Sequence, residues 1–370
     1  LVYYEPLPSG QTTHVLSLAR GLHARGHHVT VVLPSALAPR VAAFQTFGVE
    51  VIPLAMRKVF WPLSSTRILY RLVRVGIQGR PDIVHIHSQE AGLSGRVIAR
   101  AAGARAIVYT PQVIDIRRAR WHGLYVAAEW LLAHSTARLV SVSTADRQRM
   151  IRWGIPAEKI DYIPNSVAIS APDGPVDAQA VRQAFGLAAT CPLVMQVGRL
   201  SAQKNPLAFV EGAAQVLQTH PEARFVLIGE GPLREALIQR IADLALQDAV
   251  QLLGWRDNAV ALMAAADVVT LTSAWEGAPY TLLEAMAQAR PVVAPAVNGC
   301  PDIVVDGETG FLTPPGDTSA WARAVSALLA DPELARAMGQ RGYARVRERF
   351  APTAMITAIE ALYYQVLAAR

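Results

Sequence analysis

The chain has 370 residues, of which 52% are hydrophobic and 17% are charged; this composition excludes a disordered chain and is typical of an ordered globular protein. The length exceeds one typical hydrophobic core, which predicts two domains. Cys191 and Cys300 stand far apart, which argues against a disulfide framework or a cysteine metal site and favours a reducing cytoplasm. No apolar run approaches the roughly 18 residues that span a bilayer, and no signal peptide is expected.

Charge is distributed unevenly along the chain, whose net charge is +6. Residues 1–168 carry 20 Lys and Arg against 9 Asp and Glu, whereas residues 169–370 carry 15 against 20. A basic first half points to anionic partners, such as a membrane surface, a phosphorylated acceptor or nucleic acid. The sequence contains no recognised nucleic-acid-binding motif, which argues against the last of these.

Short apolar runs alternate with helical patterns throughout the first half. The predicted strands are 2–4, 29–33, 47–53, 82–87, 106–109 and 139–143. The first predicted helix follows the turn-rich residues 5–10 and ends at Gly26. Strands that alternate with helices predict a parallel sheet covered on both faces.

A second α/β series follows a stretch that contains Pro and Gly without periodicity. Its predicted strands are 193–197, 225–228, 250–253, 268–271 and 292–294. The predicted organisation is a first domain over 1–168, a linker over 169–184, a second domain over 185–351 and a final helix over 352–370. Two doubly wound sheets joined in this way predict a cleft between the carboxyl ends of their strands, where such sheets bind ligands.

Two carboxylates in residues 273–291 suggest a site for a diphosphate that carries two sugars. Glu276 lies in a loop with Gly277 and Pro279, and Glu284 follows eight positions later in a helical run. Pro suits the start of a helix, and the N-terminus of a helix can hold a phosphate. One carboxylate would therefore precede the anion site and one would lie beside it. Without context, two ordinary surface glutamates explain the pair equally well.

Two loops that follow predicted strands add cations and glycines. Arg199 and Lys204 follow strand 193–197, where two fixed cations would neutralise a diphosphate leaving group. Gly229 and Glu230 follow strand 225–228, and glycine permits close approach of the backbone to a ligand. This loop is not a dinucleotide-binding fingerprint, because Arg234 stands where a third glycine would be needed.

These segments resemble those of the retaining glycosyltransferases of family 4, also called glycosyl transferases group 1. The resemblance rests on the E-x7-E spacing from Glu276 to Glu284, the G-R-L-x-x-x-K segment that ends at Lys204 and the G-x-G-P loop at Gly229, and it extends over nearly the whole chain. It implies the GT-B fold, an α/β architecture of two Rossmann-like doubly wound domains that face each other across a cleft. The first domain would bind the acceptor and the second the nucleotide sugar, with the final helix packed back on the first.

The resemblance also implies roles for individual residues. Glu284 would hold the nucleotide ribose, Glu276 would contact the donor sugar, and Arg199 and Lys204 would hold the diphosphate. In such enzymes the leaving phosphate itself takes the acceptor proton, so neither a protein base nor a metal or other cofactor is expected. The donor side would be completed by Gly10, Gly229, Glu230, Gly277 and the amides of Tyr280 and Thr281.

Three residues of the first half are predicted on the acceptor or sugar side. His87 ends strand 82–87, where a satisfied core histidine is an equally good reading. Gln112 stands where many relatives carry a His that contacts the donor sugar; since Gln cannot hold a proton near neutral pH, the identity of the transferred sugar stays open. Asn165 belongs to a segment in which Ala168 replaces the usual Asp, so the contacts of that Asp cannot be carried over.

Basic and aromatic residues between positions 57 and 74 allow two interpretations, a surface that docks onto anionic lipid headgroups or a solvated helix face. The cluster comprises Arg57, Lys58, Phe60, Trp61, Arg67, Tyr70, Arg71 and Arg74. Arg117, Arg118 and Arg120 could extend it or bind an anionic acceptor. The predicted location is the cytoplasm, either free in solution or bound peripherally at the inner face of the membrane.

The sequence thus predicts transfer of a hexose-type sugar from a nucleotide diphosphate donor to a hydroxyl acceptor. UDP and GDP are the favoured nucleotides. Lipid-linked and cell-envelope glycans are candidate acceptors. One alternative is a nucleotide-sugar epimerase on the same fold, which would need acid and base residues that the sequence does not reveal. Another is a non-catalytic module that binds sugar nucleotides or membranes, against which the four intact residues Glu276, Glu284, Arg199 and Lys204 argue.

Overall fold

The computed structural model describes residues 1–3, 10–34, 44–54, 79–114, 122–169, 177–188 and 190–369. It divides the chain into two compact units. The first unit comprises Leu1–Ser166 and Pro352–Arg370, and the second comprises Val167–Ala351. The boundary that we predict at residue 168 falls beside the division between Ser166 and Val167.

The first unit is built on a sheet of seven parallel strands within the described residues. They are β1 (Val2–Tyr3), β2 (Thr30–Pro34), β3 (Glu50–Leu54), β4 (Ile83–His87), β5 (Ala106–Thr110), β6 (Arg138–Ser141) and β7 (Ile160–Tyr162). Their spatial order is β3-β2-β1-β4-β5-β6-β7, so the winding direction reverses between β1 and β4. Ligands of open α/β sheets bind beyond the carboxyl ends of the strands at such a reversal.

Four helices of the described residues follow strands of this sheet, and two of them begin at a serine cap. They are α1 (Gly10–Ala24), α2 (Gln89–Ala101), α3 (His122–Ser135) and α4 (Thr144–Arg152). The side chains of Ser88 and Ser143 accept hydrogen bonds from amides in the first turns of α2 and α4, which satisfies donors that a helix start leaves unpaired. A 3₁₀ turn over Ala157–Lys159 precedes β7.

The second unit repeats this plan with six described parallel strands in the order β10-β9-β8-β11-β12-β13. They are β8 (Leu193–Val197), β9 (Arg224–Ile228), β10 (Val250–Gly254), β11 (Val268–Thr270), β12 (Val292–Pro295) and β13 (Gly310–Thr313). Its reversal lies between β8 and β11. Phe209, Phe225 and Trp321 lie in its core, with ring centroids 5.8 and 5.6 Å from Phe209 to the other two.

The described part of the second unit contains eight helices. They are α5 (Ala178–Ala184), α6 (Pro206–Val216), α7 (Arg234–Asp243), α8 (Ala259–Met263), α9 (Tyr280–Ala287), α10 (Cys300–Ile303), α11 (Thr318–Ala330) and α12 (Pro332–Arg349). None of the helices in the described part of the chain combines the length and the apolar character that crossing a bilayer requires.

The predicted linker over 169–184 is wrong at its C-terminal end, because α5 occupies part of it. Asp177 caps this helix by accepting hydrogen bonds from the next turn. The buried Arg182 guanidinium then anchors it, donating to the carbonyl oxygen of Ala265 at 3.0 Å and to the Asp267 carboxylate at 2.8 Å. A helix held by a capped start and a buried cation belongs to the second unit, whereas residues 170–176 lie outside the described residues.

The last helix, α13 (Pro352–Ala368), belongs to the first unit. Its buried side chains, among them Ile356 and Ile359, join the core that α1 forms with Val15 and Leu18. The two helices approach closely at Gly21, where an added Cβ would lie 2.1 Å from Ile356 Cδ1. Helical spacing of apolar residues on both helices therefore explains why the chain returns to the first unit after completing the second.

Gly339 of α12 offers a test of how α9 is held in the second unit. A Cβ at this position would lie 2.1 Å from the carbonyl oxygen of Ala289, a backbone atom just beyond α9. We expect Gly339→Ala to lower the free energy of unfolding by about 2 kcal/mol or more, as overpacking does. Calorimetric unfolding would measure this.

Gly123→Ala is the matched control, because Gly123 lies in α3 and an added Cβ would meet nothing within 4 Å. This variant should be neutral or slightly stabilised, since Ala is the better helix former. Equal stability of the two variants would contradict the packing described for α12.

Candidate functional site

Polar residues collect at the carboxyl edge of the second sheet, on both sides of its reversal. Gly198 and Arg199 follow β8, Gly229 follows β9, and Glu276 lies between β11 and α9. Because carboxyl ends of parallel strands meet at one edge, loops far apart in sequence become neighbours there. Arg199, predicted to hold the diphosphate, is exposed on this edge.

Glu276 contacts side chains of two loops at this edge. The residue is only 3% exposed, and its carboxylate accepts hydrogen bonds from Lys204 Nζ and Ser273 Oγ, each at 2.6 Å. The amide of Ala274 also donates to the carbonyl oxygen of Gln203 at 2.8 Å, so the two loops are joined through side chains and backbone. The fold therefore brings together Glu276 and Lys204, two of the three predicted catalytic residues.

Glu284 lies in α9 and is also close to Lys204. Burial raises the pKa of Glu284 from 4.5 to about 7, and the positive charge of Lys204 opposes part of this rise. Burial and the nearby Glu284 also raise the pKa of Tyr280 well above its usual value. Near neutral pH the Glu284 carboxyl is therefore divided between its ionised and protonated forms, so it can accept or donate hydrogen bonds.

The start of α9 faces this group of side chains without a side-chain cap. Pro279 occupies the N-cap position and provides no side-chain hydrogen bond to the first turn. Thr281 Oγ1 donates to the carbonyl oxygen of Val197 at 3.2 Å, which ties the helix to the end of β8. An uncapped helix start that is partially positive can hold an anion. The buried Gly277 precedes this helix start.

Gly229, which we predict on the donor side, also lies where the loops after β8 and β9 pack together. Its φ is +144°, and an added Cβ would lie 2.0 Å from the carbonyl oxygen of Gly198. A Cβ added at Gly231 would likewise lie 2.4 Å from the carbonyl oxygen of Leu200. The glycines thus allow the loops after β8 and β9 to pack together, because backbone atoms occupy the space that a side chain would take.

Glu230, predicted on the donor side, is exposed, and its carboxylate oxygen lies 3.6 Å from a guanidinium nitrogen of Arg234.

A second polar cluster lies at the reversal of the first sheet. His87 ends β4 and is fully buried, with its ring 5.2 Å from that of His14 in α1. His14 Nδ1 lies 3.0 Å from Asn165 Oδ1. His85 bridges Thr110 Oγ1 and the hydroxyl of Tyr363 in α13, at 2.7 and 2.6 Å. The structure thus brings His87 and Asn165 together through a residue that we did not predict.

The three histidines are neutral at neutral pH. Burial lowers the pKa of His14 to about 4 and the pKa values of His85 and His87 well below the usual value. Both ring nitrogens of His87 and Nε2 of His14 lack hydrogen-bond partners among the described residues. Gln112 is also buried, with a φ of +68°, and its Nε2 has no hydrogen-bond partner among the residues that the structure describes. Gly10, the remaining donor-side residue, begins α1.

Two site residues had weak sequence signals. His14 stands four and eight residues before Leu18 and Leu22, a spacing that places it on the buried face of α1. Ser273 precedes Glu276 by three residues, as a local hydrogen bond requires, but Ser is common in such loops. The basic and aromatic positions 57–74 and the arginines at 117–120 lie outside the described residues.

Two Rossmann-like units, with the last helix returning to the first, define the GT-B class of glycosyltransferase folds. The structure of Anabaena HepE in complex with UDP-glucose superposes on the chain with a TM-score of 0.84 at 22% identity, covering 98% of this chain and 99% of that one. WaaG, a glycosyltransferase involved in lipopolysaccharide biosynthesis, gives a TM-score of 0.75 at 18% identity and covers 97% and 98%. At these identities the likeness shows the fold alone.

Sequence comparison supplies the family. The profile described as "Glycosyl transferases group 1" matches residues 177–345, and that described as "Glycosyl transferase 4-like domain" matches residues 9–166. The Escherichia coli UDP-Gal:alpha-D-GlcNAc-diphosphoundecaprenol alpha-1,3-galactosyltransferase is 30% identical over 71% of this chain and 69% of its own length. The D-inositol 3-phosphate glycosyltransferase of Acidothermus cellulolyticus is 30% identical over 98% of this chain and 86% of its own. The chain belongs to the group 1 glycosyltransferases, as the E-x7-E segment predicts.

The raised pKa of Glu284 predicts how stability depends on pH. A carboxyl with a pKa of about 7 when folded and 4.5 when unfolded costs stability once it ionises. This cost develops as pH rises from 4.5 to 7 and is complete above 7. We expect Glu284→Gln to raise the free energy of unfolding at alkaline pH by up to about 3 kcal/mol and to have no such effect below the unfolded pKa.

Unfolding of both proteins across this pH range would measure the difference. Glu308→Gln, which neutralises an exposed carboxylate of the same unit, is the control and should show a flat difference. A Glu284→Gln difference that is equally flat would contradict the burial described for Glu284.

Proposed function

We propose that this glycosyltransferase moves a hexose-type sugar from a nucleotide diphosphate donor to a hydroxyl acceptor with retention at the anomeric carbon. The observation that carries the proposal is the contact of Lys204 with Glu276, beside Glu284 and the uncapped start of α9. One edge of the second sheet thus offers a cation, a helix start that can hold an anion and two carboxyl groups that can bind hydroxyls.

The donor would bind with its diphosphate between the cations and the start of α9. Lys204 and Arg199 would neutralise the charge that develops on the leaving phosphate, and the amides of Tyr280 and Thr281 would add hydrogen bonds. Glu276 holds Lys204 in place through a buried contact before any ligand binds, so little reorganisation is needed. UDP is the favoured nucleotide, since the E. coli relative is named for UDP-Gal and the HepE crystals contain UDP-glucose.

Glu284 and Glu276 would bind the two ends of the donor. A Glu284 carboxyl that is partly protonated near neutral pH can both accept from and donate to the two hydroxyls of a ribose. Glu276 would contact hydroxyls of the transferred sugar. The leaving phosphate would take the acceptor proton, so the reaction needs neither a protein base nor a metal ion.

The acceptor would bind in the first unit, at the reversal of its sheet. His87, Gln112 and Asn165 provide hydrogen-bonding groups without charge, which suits the hydroxyls of a neutral sugar. A lipid-linked or cell-envelope glycan is the acceptor class that we favour, because the E. coli relative acts on a diphosphoundecaprenol-linked sugar by its name. With such an acceptor the enzyme would work in the cytoplasm at the inner face of the membrane, and the basic first half fits this location.

Removal of either partner of the buried contact should strongly slow transfer. We expect Lys204→Ala and Glu276→Ala to lower kcat/KM at least about 100-fold, the usual effect of deleting a group that stabilises the leaving charge or orients it. Arg240→Ala, which breaks an ion pair between surface residues of the same unit, is the control. Transfer of radiolabelled sugar from UDP-glucose or UDP-galactose to a polyprenyl diphosphate glycan, with and without a chelator, would measure the rates.

Folded Lys204→Ala and Glu276→Ala proteins that transfer sugar at the unaltered rate would refute the proposed site. The same assay separates the alternatives that the sequence leaves open. An epimerase would convert the donor without an acceptor, and a non-catalytic module would bind the donor and leave it unchanged.

Nucleotide binding gives a test that needs no acceptor. We expect one of UDP, GDP and ADP to raise the unfolding temperature, since a ligand at 100 times its Kd that binds only the folded protein adds about 2.7 kcal/mol. The shift should be lost in Lys204→Ala and kept in Arg240→Ala. An unchanged unfolding temperature with every nucleotide at millimolar concentration would contradict the donor site.

A further inference from the structure

Buried nitrogen atoms without hydrogen-bond partners collect at the carboxyl edge of the first sheet. They are Nε2 of His14, both ring nitrogens of His87 and Nε2 of Gln112, and no residue in the described part of the chain hydrogen-bonds to them. The three residues are 1%, 0% and 4% exposed. Buried polar groups of folded proteins are nearly always hydrogen-bonded. Several exceptions at the edge where such sheets bind ligands therefore point to a ligand.

The contact with Asn165 determines which nitrogen of His14 carries the proton. His14 Nδ1 lies 3.0 Å from Asn165 Oδ1. An amide oxygen can only accept a hydrogen bond, so Nδ1 must be the donor. The ring holds no second proton near neutral pH, because burial lowers the pKa of His14 to about 4. His14 Nε2 therefore presents a lone pair that no described residue uses.

His87 packs against two rings that other residues hold in place. Its ring centroid lies 4.0 Å from that of His85 and 5.2 Å from that of His14. Both nitrogens of His85 are engaged, one with the Tyr363 hydroxyl and one with Thr110 Oγ1. A neutral imidazole has one N–H donor and one acceptor nitrogen. His87 therefore offers one of each beside the lone pair of His14.

The titratable groups that act on these rings are uncharged near neutral pH. Burial lowers the pKa values of His85 and His87 well below 6.5 and the pKa of the Leu1 amino group to about 5. Burial also raises the pKa of the Tyr363 hydroxyl. The cluster thus offers a lone pair and no cation, which disfavours a carboxylate or a phosphate. A sugar hydroxyl suits it, because one hydroxyl can both donate and accept a hydrogen bond.

We propose that His14 and His87 bind an uncharged hydroxyl of the acceptor sugar, and that Asn165 acts through His14. His14 Nε2 would accept the hydrogen bond that this hydroxyl donates, and the N–H of His87 would donate to its oxygen. Asn165 would be a positioning residue, because it keeps the proton of His14 on Nδ1. In naming the acceptor as the ligand we rely on the proposed function, whereas the tautomer of His14 follows from the contact with Asn165 alone.

Nitrogen NMR of protein with isotope-labelled histidine tests the site without any turnover. The resonances of His14 are assigned by their loss in His14→Gln. We expect the proton on Nδ1 and a bare Nε2, whose resonance should shift when the neutral methyl glycosides of glucose, galactose and N-acetylglucosamine are added. Methyl glucuronide, an anionic counterpart, should leave it in place. A proton on Nε2 of the free protein, or an Nε2 resonance that none of the neutral glycosides moves, would overturn the proposal.

Steady-state kinetics distinguish hydroxyl binding from a structural role. With UDP-glucose or UDP-galactose and a polyprenyl diphosphate glycan, His14→Phe should raise the acceptor KM about tenfold and leave the donor KM within about twofold. His14→Gln should restore most of the loss, since its amide oxygen can accept a hydrogen bond where Nε2 does. His134→Phe, which replaces an exposed histidine of α3, is the control. An equal rise of the donor KM, or no rescue by His14→Gln, would contradict the assignment.

Asn165→Asp tests the positioning role through a pH profile. A carboxylate beside Nδ1 raises the pKa of His14 above its value of about 4, and a doubly protonated ring has no lone pair at Nε2. The ratio of the acceptor KM of this variant to that of the unaltered protein should therefore rise as pH falls from about 8 to about 6. A constant ratio would refute the role of Asn165. Absence of transfer in every protein, together with the expected NMR shifts, would count against the proposed function and not against this site.

Discussion

The buried contact between Glu276 and Lys204 is the interaction on which the proposed chemistry depends. A carboxylate that is almost inaccessible to water requires a partner, and Lys204 and Ser273 provide it from two loops. The contact fixes the positions of both loops and sets the charge beside α9. The same ammonium group also opposes the protonation of Glu284, because its positive charge lowers the pKa that desolvation raises. One ion pair thus couples the geometry and the electrostatics of the second unit's carboxyl edge.

The two units follow one plan but differ in the chemistry at their sheet reversals. The second unit gathers Lys204, Glu276 and Glu284, charges suited to a diphosphate and its sugars. The first unit gathers His14 and His87 among buried neutral groups, because burial strongly disfavours the imidazolium form. A charged site for the donor and a neutral site for a hydroxyl acceptor are what transfer from a nucleotide sugar would require.

Packing outside these sites determines what each sheet can present. The last helix completes the core of the first unit, and its Tyr363 hydroxyl orients His85 next to His87. In the second unit, glycines allow the loops after β8 and β9 to touch. On α3 the buried pair of Arg96 and Glu129 removes charge from the surface and leaves apolar side chains outside. In each case, contacts in the interior determine which groups the surface presents.

The sequence by itself determined the fold class, the family and most of the strands, because apolar periodicity, the spacing from Glu276 to Glu284 and the segment that ends at Lys204 are each local properties of the chain. It missed β7 and β13, since short edge strands that are partly exposed lack a continuous apolar run. It also assigned α5 to a linker. Only the tertiary structure decided that Glu276 contacts Lys204 across 72 residues, that His14 joins His87 and Asn165, and that Gly229 serves loop packing. These depend on which strand ends become neighbours, and that follows from the order of strands in each sheet.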